Sequence, residues 1–120
     1  MASDGTRRDI ARRSHRFALA VRNCAVRHRW ARAQWTDLSR LLHSSGAVAA
    51  HFIEADQRTH HPDSTRRLAL AREQAAESMW WLEVLAETSP DHAPLAPLEQ
   101  LHHQAEKLNL RLRSILRRGF

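Results

Sequence analysis

Nine histidines and one cysteine, Cys24, are the residues of this 120-residue chain with the widest chemical reach. Imidazole pairs bind zinc best from one helix face, at a spacing of three or four positions. No two histidines here have that spacing. His60 and His61 are adjacent, as are His102 and His103, and adjacent side chains on a helix diverge by about 100°. His28 reads as a core-edge residue with a hydrogen-bond partner, and His51 as a side residue of its helix. A lone cysteine forms no intrachain disulfide and cannot complete a zinc site without several histidines, so a cytoplasmic location is expected. Glu54, Glu73 and Glu77 have no partner that spacing identifies. Glycine-rich phosphate loops, nucleophile elbows and activated Cys-His pairs are also missing from the sequence. The chain is therefore expected to have no catalytic residues, no metal and no cofactor, and not to be an enzyme.

Arginine is the second source of chemistry. The 19 basic and 13 acidic residues leave a net charge of +6 with histidine neutral, and only one of the 19 is lysine. Guanidinium groups attract phosphate chains by displacing their counterions. Arg8, Arg12, Arg16, Arg22 and Arg29 fall on one side of a helical wheel with no carboxylate between them, the pattern of a nucleic-acid-binding face. The same pattern also describes a merely solvated face. Trp80 and Trp81 offer either a stacking platform for bases or ordinary packing.

These groups must be positioned by helices. Three glycines, four prolines and no tyrosine in 120 residues exclude an all-β design, and the length holds a single core. Helix 1 is expected over about 7–32, with Ile10, Ser14, Phe17, Val21, Cys24 and His28 advancing by threes and fours. The second helix, about 37–57, begins where Thr36 or Asp37 can cap it. It buries Leu38, Leu41, Leu42, Ser45, Val48, Ala49, Phe52 and Ile53, and its small residues, Gly46 among them, admit a close neighbour. Helix 3, about 64–88, follows Pro62 with Asp63 or Ser64 as its cap, and Pro90 and the residues after it end the element. A fourth helix, about 95–118, carries a heptad seam of Leu98, Leu101, Ala105, Leu108, Leu112 and Ile115. The architecture this predicts is all-α, an antiparallel up-and-down four-helix bundle forming a single domain over 1–120.

Helix 3 has more apolar surface than one bundle easily buries. Leu68, Ala71, Ala75, Met79 and Leu82 make its core stripe, whereas Leu70, Trp81 and Val84 lie about 160° away. Glu77 sits within this second stripe, where an arginine across an interface would pair with it. The economical cover is another copy of the chain, so Leu70, Glu77, Trp81 and Val84 are expected to form an oligomer interface. No apolar run approaches the roughly 20 residues of a membrane span, and no membrane partner is expected.

Two segments carry a family resemblance: LSRLLHSSGAVAAHFIEA, Leu38 to Ala55, and LALAREQAAESMWWL, Leu68 to Leu82. The segment at Leu38 resembles a pattern of leucines, then small residues, then Ile-x-Glu-Ala. The segment at Leu68 is similar to L-x-I-A-x-x-E-A-x-E-S/T-x-Y-W-L through Ala71, Ala75, Glu77, Ser78, Trp81 and Leu82, with Trp80 as the other aromatic. Both patterns are similar to those of the four-helix-bundle proteins encoded in 23S rRNA intervening sequences. Ala49 and His51 stand where that family often has Gly and Asn, and Gln74 replaces its first helix 3 glutamate. The resemblance implies a closed antiparallel bundle. It also implies kinship with the accessory variability proteins of diversity-generating retroelements, which are similar in forming five-membered rings and in binding nucleic acid or a reverse transcriptase through basic surfaces.

Taken together, the expectation is a non-enzymatic, cytoplasmic bundle assembled as a homo-oligomer, a pentamer, that binds RNA or DNA or a nucleoprotein partner. A protein-interaction scaffold without nucleic-acid binding is the alternative.

Overall fold

Ser3 starts the first helix, its hydroxyl accepting the Thr6 N–H at 3.1 Å, which satisfies one of the donors that every helix start leaves free. In the computed structural model, which describes residues 2–89 and 94–120, four long helices follow: α1 (Asp4–Arg27), α2 (Trp35–Gln57), α3 (Asp63–Glu87) and α4 (Leu95–Arg118). Each packs on its neighbour in sequence, and α1 closes on α4. The result is an all-α, antiparallel four-helix bundle measuring 48 × 21 × 20 Å. The α4 seam is buried as expected, from Leu98 to Ile115. Gly119 then stops α4 with φ of 90°, its N–H returning to the Ile115 carbonyl at 2.7 Å. A residue in that left-handed region is most easily glycine.

The helix starts and stops depart from expectation where side chains from elsewhere intervene. α1 ends at Arg27, not near Arg32, because His28 is extended and the Trp30 indole N–H donates to the Ala25 carbonyl at 3.1 Å. That bond satisfies one of the four carbonyls a helix end leaves open. Thr36 and Asp37 do not cap α2. They lie inside it, since a 3-10 turn, Arg32–Gln34, leads into the helix at Trp35. Gln34 is only 3% exposed. Its side-chain carbonyl accepts the Ala31 N–H at 3.0 Å, while its amide donates to Ser89 Oγ at 3.1 Å and the Leu85 carbonyl at 3.4 Å. One side chain thereby pins the α1–α2 connection to the end of α3. At the start of α3 the His61 ring nitrogen Nδ1, not a side chain of Asp63 or Ser64, receives the Asp63 N–H at 3.0 Å. The Asp63 carboxylate turns instead to Arg67 at 3.2 Å and Arg66 at 3.4 Å. The expected stop at Pro90 lies outside the described residues.

Small residues do bring α2 and α3 together. Ser44 and Ser78 are both fully buried, with their hydroxyls 2.8 Å apart across the seam. Gly46 serves a different neighbour. A Cβ at this position would stand 3.0 Å from the Arg22 guanidinium, which crosses from α1 and donates to the Leu42 carbonyl at 3.3 Å. Only a flexible side-chain tip occupies the space. Gly46→Ala is therefore expected to raise stability by about 0.5–1 kcal/mol, the helix-propensity gain less a small loss at Arg22; the denaturant midpoint reads it. Ile53, expected in the core, is 45% exposed, because Phe52 takes the central position and the next residue lies about 100° round the helix.

Candidate nucleic-acid interface

Closure of the bundle sets the outer sides of α1 and α4 beside each other. Arg12, Arg13 and Arg16 from α1 then face His103, Gln104 and Lys107 from α4 across a groove of about 340 Å³, with Ala20 and Leu108 at its base. Wheel angles alone put Arg12 and Arg16 on one face. They carry no sign that Lys107 and His103 are opposite, because which helices adjoin is a property of the whole fold. Arg13 escapes the wheel for a different reason: it is half-buried and flanks the core stripe.

The expectation of a face free of carboxylates is not met. Asp9 accepts from Arg12 at 2.6 Å and Arg13 at 2.9 Å, and Arg111 of α4 stands 3.6 Å away. Positions three and four apart on a helix are neighbours, so Asp9 reaches both arginines. The Arg13 hydrogen bond holds the Asp9 carboxyl below the usual carboxylate range, against the opposing effect of burial and with help from Arg12 and Arg111. Asp9 thus acts as a tether that orients guanidinium groups along the groove. Among the described residues, Arg16 and Lys107 form no ion pair.

The other basic candidates are scattered. Arg8 is exposed on the outer side of α1. Arg22 leans across α2, donating to the Ala18 carbonyl at 3.1 Å as well as to Leu42. Arg29 lies beyond the end of α1, in the connection to α2, and so leaves the helical face expected for it.

The second stripe of α3 sits at the α2–α3 seam. Leu70, Trp81 and Val84 are half-buried, and the Arg40 guanidinium of α2 lies 5.1 Å from the Trp81 ring centre. α2 therefore covers part of this stripe within the same chain. Trp80 meets Trp81 edge-on with ring centres 4.6 Å apart and remains 55% exposed. Glu77 is exposed and makes no ion pair among the described residues. It shares a groove of about 390 Å³ with Arg40, His43 and Trp81. The Trp81 indole N–H is buried without an acceptor among the described residues.

Among the described residues, no group of three His, Cys, Asp or Glu side chains is placed to hold a metal ion, and no helix is long and apolar enough to cross a membrane. His102 approaches Glu83 at 3.4 Å, and burial pushes the Cys24 thiol pKa up, away from the thiolate that reactivity needs.

The molecule is thus a closed four-helix bundle whose first and last helices enclose a basic groove. It is similar to a crystal structure from Bacteroides thetaiotaomicron VPI-5482, of a protein of unknown function from the S23 ribosomal protein family. The TM-score is 0.79 at 23% identity, over 93% of this chain and 98% of that one. At this identity the likeness establishes the fold. No family model matches the sequence, and no curated protein matches it.

Proposed function

We propose that this protein is a non-enzymatic, cytoplasmic RNA-binding bundle that acts as a homo-oligomer, a pentameric ring, on RNA alone or within a nucleoprotein. The observation that carries the reading is the facing of Arg12 and Arg16 with Lys107 across one groove. Charge segregation supports it. Residues 1–40 hold ten basic and three acidic side chains and 101–120 five and one, against four and nine between them. The α1–α4 groove sets Arg12, Arg16 and Lys107 of that excess on one side, and a ring would repeat that side about its axis, multiplying a weak pull on a polyanion. The S23 ribosomal family of the similar structure and the resemblance to proteins encoded within rRNA genes favour RNA over DNA.

The test is RNA titration at two salt concentrations, with the parent and an Arg12→Gln/Arg16→Gln/Lys107→Gln variant, the three cations that face one another across the groove. Each lost phosphate contact lowers the salt slope by about one and weakens binding evenly across sequences. Folding should hardly change, because exposed ion pairs contribute only about 0–1 kcal/mol. Equal binding by variant and parent would remove this side as the RNA site. A parent that binds no RNA leaves the protein-interaction scaffold as the better reading.

A further inference from the structure

The groove lined by Arg12, Arg16 and Lys107 does not stop at Ala20. A second hollow of about 280 Å³ begins at the same Ala20 and Gln104 and runs on past Asn23 to Arg27 and Pro97. The two hollows share Ala20 and Gln104 and follow one another along the α1–α4 seam, here called the trough. From Arg12 to Arg27 it follows α1 for about 22 Å at 1.5 Å per residue. At mid-length the α1 side of the lining is Ala20, whose side chain ends at Cβ.

We propose that this trough binds the backbone of single-stranded RNA, an inference that rests on the RNA-binding reading above. At the Arg12 end cationic side chains stand on both walls, Arg12 and Arg16 opposite Lys107, and beyond Gln104 Arg27 continues the charge on the α1 side, so a strand lying there has phosphates within reach of guanidinium groups along its length. A duplex is convex and wide, and touches only the rim. Between the charges the lining includes three amides, Asn23, Gln100 and Gln104, beside Ala20, Cys24 and Leu101. Amides donate and accept, which suits the ribose 2′-hydroxyl that distinguishes RNA from DNA.

The test is fluorescence anisotropy with a labelled single-stranded RNA of about 20 nucleotides, long enough to cover a site of the usual 4–16 nucleotides, the same sequence as DNA, the RNA duplex, and polyglutamate as competitor. The variants are Ala20→Phe, which fills the floor, Arg16→Gln/Lys107→Gln, which strips both walls, and Arg8→Gln/Arg22→Gln, which removes equal charge outside the trough. Expected results are tenfold or greater preference of the parent for the single strand over the duplex, tenfold or greater weakening by either trough variant, and less than threefold weakening by the control. Circular dichroism checks each fold, and if Ala20→Phe is misfolded the wall variant decides. Three results overturn the trough while leaving the RNA-binding reading intact: equal affinity for duplex and single strand, equal weakening by control and wall variants, or trough variants that bind like the parent. Equal affinity for DNA overturns the assignment to RNA, and polyglutamate displacing the strand at equal charge concentration overturns recognition of a nucleic acid. No binding of any RNA by the parent overturns both readings together.

Discussion

Phe17→Ala is expected to lower the unfolding free energy by about 3–5 kcal/mol, the range for truncating a buried aromatic side chain. Phe17 is fully buried and is the largest apolar side chain that α1 contributes to the core. Whole-domain stability is only about 5–15 kcal/mol, so the variant is expected to sit near its unfolding threshold. The loss should be severe at this position because α1 meets α4 across an open groove and depends on its own stripe of Ile10, Phe17, Val21 and Cys24 for attachment. Urea denaturation followed by circular dichroism measures it, with an unchanged slope marking a pure stability effect. Leu19→Ala, at a side chain 47% exposed on the same helix, should stay within about 0.5 kcal/mol. A Phe17→Ala cost below about 1 kcal/mol, well under the range for a buried aromatic, would mean that α1 is not an integral part of the core.

If the protein forms the proposed ring, Trp81→Arg is expected to convert it to the 13.8 kDa protomer or to insoluble protein. Leu70, Trp81 and Val84 remain half-buried beside the exposed Trp80, and full burial of each such side chain contributes about 1.5–3 kcal/mol. The Trp81 indole N–H is buried with no acceptor among the described residues, and an unpaired donor of this kind costs about 1–3 kcal/mol. The new arginine would stand against Arg40, which now lies over the Trp81 ring. Because that repulsion also strains the protomer, Leu70→Arg serves as a second variant that leaves the Arg40 contact alone. Light scattering reads the mass of both. If both variants keep the parent's mass, this stripe is not the interface, and a monomeric parent removes the oligomer itself.

Periodicity made the helices legible. The α4 seam, the α1 stripe from Ile10 to Cys24 and the α3 stripe from Leu68 to Leu82 are local patterns, and burying an apolar stripe requires neighbours of the same kind, so the bundle follows from them. The start of α3 was legible for a similar reason, since Pro62 marks a break wherever it occurs.

Helix ends and the candidate site depended on contacts that no local pattern encodes. Trp30 ends α1 by reaching back to Ala25, and Gln34 joins the α1–α2 connection to Leu85 and Ser89, over fifty positions along the chain. Gly46 has the sequence context of a helix-packing glycine, yet it is Arg22 that lies across it. Basic charge on α1 and α4 was countable in the sequence, but a wheel treats each helix alone. It could not pair Arg16 with Lys107, separate Arg22 and Arg29 from Arg12, or show Arg40 covering Trp81. Composition and apolar spacing by themselves determined the helices, the bundle and the excess of positive charge, because each depends on residues within a few turns. Tertiary structure alone decided which charges share a groove, because that depends on which helices become neighbours and on the angle at which each side chain leaves its helix.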